Sequence, residues 1–548
     1  MKKILFFLGV SLLTCCTTLK NSKTQAFNWE GANVYFLLTD RFNNGDKSND
    51  VNFGRTEKAA VLRGFEGGDL RGIIQKIDDN YFSDLGINAI WMTPIVEQIH
   101  GATDEGTGKT YGFHGYWAKD WTALDPNFGT KADLKELVDK AHAKGIRIVL
   151  DAVINHTGPV TSADPVYPNT WVRTSPQCQY RNYENTTACT LVANLPDVLT
   201  ESDVPAELPQ MLVDKWKKEG RLEAEMTSLN EFFARTGYPK APKYYIMKWL
   251  ADYVQEFGID GYRVDTVKHT NEDVWKDFQQ VCQQSFEIYK RNNADKVLDN
   301  NLFFLVGEVY GYGISQKQVY DFGDKKVNYY QNGFKSLINF DFKGDANKPY
   351  EELFSNYSKL LHSDLNGKTV MNYLTSHDDG SPFDKDRKRT YEAATKLLLA
   401  PGISQVYYGD ETARSLQIPG TNGDATLRSN MNWSDLQDNA GTKKLLEHYQ
   451  KLGKFRADHP AVGAGVHQYL GSVPDYWFSR IYVRDGFSDK VVIGLDLPAG
   501  EKITDILKVF AAGTKLRDAY SGKTTIVTKD LLAIVNTPYS IVLFEEIR

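Results

Sequence analysis

Basic tracts, internal repeats and long low-complexity segments are all missing from this 548-residue chain. Lys and Arg number 64 against 70 Asp and Glu, a net charge of −6 with no basic face, so nothing favours nucleic acid as a partner. A membrane-length apolar run is missing too. Lys2 and Lys3 open an apolar stretch at 4–13 that is too short to span a bilayer and reads as a secretory signal. Cysteine is scarce, with five in all. Cys15 and Cys16 close the apolar stretch, in the manner of a bacterial lipoprotein signal with one of them lipidated; the alternative is a plain secretory signal. Cys178, Cys189 and Cys282 remain. In an exported protein, Cys178 and Cys189 share one polar, proline-rich stretch and are predicted to pair. Cys282 lies on the apolar face of a helical pattern and is expected to be a buried thiol.

What is present is length, core and aromatics. The chain is too long for one ordinary domain, and 41% hydrophobic residues support a sizeable core. Its 30 Tyr, 28 Phe and 10 Trp suit stacking on sugars, although core packing accounts for most of them. A strand at 33–38 is followed by a loop dense in side-chain oxygens, from Asn43 to Asp50. Gly67-Gly68-Asp69-Leu70 opens a helix with apolar Leu70, Ile73, Ile74 and Ile77. Strands follow at 89–94 and 146–150, separated by a helix that begins with the capping-box signature Thr130-Lys131-Ala132-Asp133. The pattern breaks over 158–242 and resumes with a helix at 244–257 and strands at 259–265, 302–307, 336–340, 369–375 and 404–408. Eight strands alternating with helices predict an α/β fold, a (β/α)₈ TIM barrel, with chemistry at the C-terminal ends of its strands. The expected domains are a signal at 1–16, the barrel at 27–157 and 243–455, a loop-rich insertion after the third strand at 158–242, and a C-terminal antiparallel β-sandwich at 456–548.

Within the strand at 259–265, alternate residues share a face, which puts Arg263 beside Asp265. Alone, this pair reads first as a structural ion pair. Neighbouring strand ends carry Asp151 and His156, Glu308, and His377 and Asp378. In a barrel these converge. Crowded carboxyls cannot all ionise freely, so Arg263 is expected to keep Asp265 ionised and leave Glu308 as the proton donor. One ionised and one protonated carboxyl is what glycoside cleavage requires.

Four motifs then carry a resemblance: Asp151-Ala-Val-Ile-Asn155-His156, Gly261-Tyr-Arg263-Val-Asp265-Thr-Val-Lys268-His269, Gly307-Glu308-Val-Tyr310 and Ser376-His377-Asp378. In this order they resemble the α-amylase family, glycoside hydrolase family 13. Leu195-Pro196-Asp197 and the run from Gly86 to Pro94 extend the likeness over almost the whole chain after the signal. Within the family the chain looks most like exported α-amylases of Gram-negative bacteria. The resemblance implies retaining endo-hydrolysis of α-1,4-glucosidic bonds, with Asp265 as nucleophile, Glu308 as acid/base and Asp378 as transition-state stabiliser. It further implies that Arg263 orients Asp265, that His156 and His377 contact the sugar, and that Tyr116, in His114-Gly115-Tyr116-Trp117, stacks on it. His114, Lys268 and His269 join the expected substrate contacts. Calcium is implied between barrel and insertion at Asn155, Asp197 and the His269 carbonyl, with a second site at Asn44, Asp46, Asn49, Asp50 and Asp69. All of these are oxygen donors, as Ca²⁺ demands. The implied partner is an α-glucan, the expected state a monomer, and the expected location the periplasm or, through a lipid anchor, the outer membrane, with secretion as the alternative. The alternatives are cyclomaltodextrin-cleaving, maltogenic or transglycosylating activity on the same scaffold, and a non-catalytic glucan-binding module.

Overall fold

The computed structural model describes residues 27–104, 106–471, 475–506 and 509–547. The expected signal at 1–16 lies outside them. Eight parallel strands close into a barrel: β1 (Asn33–Leu37), β2 (Ala89–Met92), β3 (Arg147–Ala152), β4 (Gly261–Val264), β5 (Phe304–Gly307), β6 (Ser336–Asn339), β7 (Thr369–Tyr373) and β8 (Ile403–Tyr407). Each strand pairs with its neighbours in chain order, and β8 returns to β1. Every residue of these strands is buried, because helices cover the outside and side chains fill the inside.

The helices follow from local chemistry. α1 (Leu70–Asp78) is capped by Asp69, and α2 (Lys131–Ala143) by the full capping box of Thr130 and Asp133. The 158–242 insertion is less loop-rich than expected. It contains α3 (Gln210–Lys218) and α4 (Leu222–Thr236), whose apolar stripes bury Leu212 and Trp216, and Leu229, Phe232 and Phe233. α5 (Pro242–Phe257) starts with proline in its first turn, ahead of the expected 244. It ends at Gly258, whose φ of +79° and whose missing Cβ, which would meet the Tyr289 ring at 2.2 Å, make glycine the residue that turns the chain into β4. α6 (Asp273–Asn292) buries Cys282 as expected. Strict alternation fails between β5 and β6. There the chain makes a two-stranded hairpin and 3₁₀ turns in place of a helix. α7 (Tyr350–His362) and α8 (Thr390–Leu399) complete the barrel layer.

α9 (Ala440–Asp458) crosses the expected boundary at 456, and the first strand beyond it starts at Val466. The C-terminal part has β9 (Val466–Tyr469), β10 (Tyr476–Arg484), β11 (Phe487–Leu495), β12 (Gly500–Asp505), β13 (Lys515–Asp518), β14 (Thr524–Ile526), β15 (Leu532–Thr537) and β16 (Val542–Glu546). Six of these form an antiparallel sheet in the order β9-β10-β11-β16-β13-β14, and β12 pairs with β15. Two buried arginines, Arg456 on α9 and Arg480 on β10, tie that helix and the sheet to the end of α8. Arg456 donates to the carbonyls of Leu398 and Ala400 at 3.0 and 2.8 Å, and Arg480 to that of Leu399 at 2.5 Å. They satisfy the open carbonyls at the end of α8 and complement its dipole.

His459 makes the same junction sensitive to pH. Its Nδ1 lies 2.8 Å from Asp489 and its Nε2 2.6 Å from Glu545. Burial pulls its pKa down, but hydrogen bonds and charge from both carboxylates outweigh burial and raise it to about 9. A raised folded-state pKa contributes stability that is fully present below the unfolded value of about 6.5 and is lost as pH rises through about 9. His459→Gln is expected to cost on the order of 3 kcal/mol at pH 6 and little at pH 10. Urea midpoints at the two pH values check this, and an equal cost at both would contradict it.

Candidate active site

The ionisable groups singled out in the sequence converge at the C-terminal mouth of the barrel. Register does the first part of the work: Arg263 on β4 is the Cα partner of Asp151 on β3 and of Val306 on β5. From this central strand the guanidinium reaches three carboxylates. Its Nη1 lies 2.8 Å from Asp265 Oδ1 and 3.0 Å from Asp151 Oδ1, and its Nη2 lies 3.0 Å from Glu308 Oε2. The fork geometry of arginine allows this, whereas a lysine ammonium would be a single point. Directly after Asp265, Thr266 sits in the left-handed region at φ 49°, and its N–H donates to Glu308 Oε2 at 2.9 Å. Strain of this kind in a non-glycine residue concentrates at functional sites.

The carboxyls do not share one acidity. Burial pushes Glu308 up to about 8, with Asp265 and Asp378 adding to it and Arg263 opposing. Asp265 also rises, to about 6, because burial outweighs the guanidinium. Arg263 therefore limits the rise of the Asp265 pKa rather than lowering it below the ordinary value. Asp378 goes the other way. Burial opposes ionisation there, and the fields of His377, Arg263 and Arg428, with the Ser376 hydroxyl at 3.2 Å, more than offset it. His377 itself is held near 4 by burial, so above that pH the two arginines carry the effect.

Tyr116 is half-buried. Its ring lies nearly parallel to His377, with centroids 5.3 Å apart, and its hydroxyl donates to Asp151 at 2.9 Å. Two residues expected to touch sugar also contact Tyr116. The Nδ1 of buried His114 accepts from the Tyr116 N–H at 3.1 Å. The Nε2 of buried His156 lies 3.1 Å from the Tyr116 carbonyl, and its Nδ1 has no hydrogen-bond partner. Lys268 donates to the Tyr310 carbonyl at 2.9 Å and lies 5.2 Å from the centre of the exposed Tyr310 ring. His269 is buried, with Nδ1 3.1 Å from the Thr186 carbonyl. Thr186 belongs to the loop closed by the Cys178–Cys189 disulfide, the pairing expected from sequence. The disulfide loop thus braces the segment that follows the catalytic strand.

Sequence reasoning assigned no role to three residues here. Asp151 stood at a strand end but shows its function only through register with Arg263. Trp91 donates to Asp151 at 3.1 Å while stacked on Phe36. Arg428, 50 residues beyond Asp378 in the chain, donates to the His377 carbonyl at 2.8 Å. No local pattern announces these last two roles.

The expected calcium ligands divide. At the barrel–insertion contact, Asp197 pairs with His156 in an isolated bridge, and the Asn155 carbonyl accepts from the Val198 N–H at 2.8 Å. Burial raises the Asp197 carboxyl to about 8 although Arg173 holds its Oδ2 at 2.8 Å. Its Oδ1 is buried without a partner. In the N-terminal loop, Asn44 Oδ1 and Asn49 Oδ1 are likewise buried and unpartnered. The loop wraps around Gly67, where a Cβ would lie 2.4 Å from Asn44 Nδ2 and 2.7 Å from Asp50 Oδ1. Orphaned buried oxygens fit a hard cation. Asp46 and Asp69 do not fit as drawn from the sequence. Asp46 turns its carboxylate to the Ser48 N–H and hydroxyl. Asp69 accepts from the N–H groups of Gly72, Gly45 and Asp46, as a helix cap and loop anchor. Among the described residues no three His, Cys, Asp or Glu side chains cluster around a metal-sized point, so a cation here would rely on a single carboxylate together with asparagine and main-chain oxygens.

A closed parallel barrel whose mouth gathers three raised carboxyls, Asp151, Asp265 and Glu308, around an arginine, with the lowered Asp378 beside them, has the paired acid and carboxylate of a glycoside hydrolase. The chain belongs to the α-amylase family: residues 36–459 match the family model for the α-amylase catalytic domain. It is 34% identical over 524 residues, 85% of this chain and 72% of the relative, to the periplasmic α-amylase of Escherichia coli (strain K12). It is 26% identical to a cyclomaltodextrin glucanotransferase of Geobacillus stearothermophilus, over 88% of this chain and 62% of that one. Among solved structures, an Anoxybacillus α-amylase superposes with a TM-score of 0.64 at 25% identity, covering 95% of this chain and 99% of the other.

Proposed function

We propose that the protein is an exported α-amylase that cleaves internal α-1,4-glucosidic bonds of starch, glycogen or maltodextrin with retention of configuration. The observation that carries this reading is the Arg263 fork, which holds Asp265 at 2.8 Å and Glu308 at 3.0 Å in one buried mouth, with burial raising Glu308 further than Asp265. Asp265 attacks the anomeric carbon and Glu308 protonates the departing glycosidic oxygen. The deprotonated Glu308 then takes a proton from water, which attacks the glycosyl–Asp265 ester and restores the α configuration. Asp378, ionised, stabilises the positive charge that develops on the ring. Tyr116 presents its ring to the sugar bound before the scissile bond, and Lys268 lies on the leaving-group side. The likeness to a periplasmic α-amylase supports export. The domain reading is a barrel with an insertion after β3 and a separate C-terminal β domain from Val466 onward.

Maltoheptaose digestion tests the reading. Short linear products, α-configured when first released, are expected. Cyclic or longer products would place the protein with the glucanotransferases, and an absence of products would leave a binding module.

Calcium belongs to the same proposal. Asn155, Asp197 and the His269 carbonyl would hold one ion between barrel and insertion, and Asn44, Asn49 and Asp50 a second. Bound there, the ion supplies charge that the buried oxygens lack and stiffens the segments flanking the cleft. Chelation is expected to lower Tm by about 5 °C or more. Asp197→Asn should lose most of that response. An unchanged melt after the metal has been shown to leave by elemental analysis would refute both sites.

A further inference from the structure

Away from the catalytic mouth, a cavity of 780 Å³ opens between the barrel helices α7 and α8 and the C-terminal sheet. Its size lies within the roughly 300–1,000 Å³ typical of small-molecule sites. Four tyrosines, Tyr350, Tyr391, Tyr476 and Tyr520, line it together with Asp496. Two are locked as walls. Tyr476 donates to Glu351 at 3.0 Å, and Tyr520 donates to His448 Nδ1 at 2.8 Å. Tyr350 lies nearly parallel to Tyr476, with 11° between the rings and 5.9 Å between their centres. Tyr391 is 47% exposed. Asp496 is exposed and held at φ 56° at the end of β11. Fixed aromatic faces beside hydroxyl and carboxylate acceptors match a pyranose, whose C–H face is apolar and whose rim is all hydroxyl.

The cavity also has a neighbouring depression that reaches the turn beyond Asp378. A second depression, of 500 Å³, is lined by Phe340, Asp341 and the turn Ser381-Pro382-Phe383, which follows Asp378. Asn347 lines both depressions. Arg389 fixes this shared lip: it donates to Asn347 Oδ1 at 2.8 Å and stacks over Phe383 at 4.0 Å.

We propose that the barrel–sheet cavity is a second α-glucan site, which holds a distal stretch of the polysaccharide being cleaved at the mouth. This rests on the α-glucan reading above. Its consequence is a preference for long chains that the catalytic cleft alone would not give.

The full-length protein carrying Tyr391→Ala tests it. Turnover of a chromogenic maltotrioside should be unchanged, and KM for amylose should rise about tenfold, the loss of one aromatic stack. Retardation in amylose-containing gels should fall in parallel. A parent that cleaves maltoheptaose, alongside a variant with unaltered amylose KM and retardation, overturns the cavity proposal alone. A parent that cleaves no glucan overturns the functional reading, and this proposal with it. Soaking crystals of Glu308→Gln with maltoheptaose is independent of the variant's folding: sugar density against Tyr391 supports the site, and an empty cavity at saturating sugar overturns it.

Discussion

Glu308→Gln is expected to lower kcat/KM on maltoheptaose by about 10³- to 10⁴-fold, with the fold intact. The amide is the same size as the carboxyl, and its oxygen can still accept from Thr266 N–H and Arg263, so the barrel mouth keeps its packing. What it cannot do is release a proton to the departing oxygen or take one from water. The pH profile carries the sharper test. In the parent enzyme kcat/KM should be bell-shaped, with an acid limb near 6 where Asp265 ionises and an alkaline limb near 8 where Glu308 loses its proton. On a substrate whose leaving group needs no protonation, the variant should lose the alkaline limb and keep the acid one. A variant with near-normal hydrolysis of maltoheptaose would end the assignment of Glu308.

Arg263→Met is expected to damage both activity and stability. It removes the one cation that faces Asp151, Asp265 and Glu308, and leaves three buried carboxyls next to one another. Breaking a buried charge pair on one side costs on the order of 3–5 kcal/mol. Without the guanidinium, burial and the neighbouring Asp151 drive the Asp265 carboxyl above its present value of about 6, so that less of it is ionised at neutral pH. Activity at pH 6 should therefore fall at least 10²-fold, and the acid limb should move to higher pH, with partial recovery as pH rises. Arg263→Lys should behave similarly though less severely, since one ammonium cannot fork to three partners. If the acid limb stays near 6 in Arg263→Met, the guanidinium does not control the nucleophile.

The sequence carried the catalytic face of β4 because a strand alternates sides. Arg263 and Asp265, two residues apart, had to meet, and they do at 2.8 Å. Glu308 and Asp378 were legible for a similar reason: each follows a short apolar strand, and a parallel barrel sends all such ends to one mouth. The capping box at Thr130, the Cys178–Cys189 pair and buried Cys282 depended only on near neighbours and were equally legible. The helices of the insertion were not. Prolines and polar residues around 158–209 masked the amphipathic stripes of α3 and α4, whose apolar faces acquire meaning only against the barrel.

By itself, then, the sequence determined the order of the eight barrel strands, the barrel, the carboxyls at its mouth and the family. These are fixed by period, spacing and short motifs, which act over a few residues. Tertiary structure alone decided how the carboxyls differ. Burial is the largest influence on Asp265, Glu308 and Asp378 alike, and it depends on everything packed around them. It also decided that Asp151 pairs with Arg263 through strand register, that His114 and His156 support Tyr116, that Asp69 caps a helix, and that Arg428 reaches His377 from 51 residues away. Each of these is a contact between segments distant in the chain, and hydrogen bonds and desolvation are set by where the closed barrel brings those segments together.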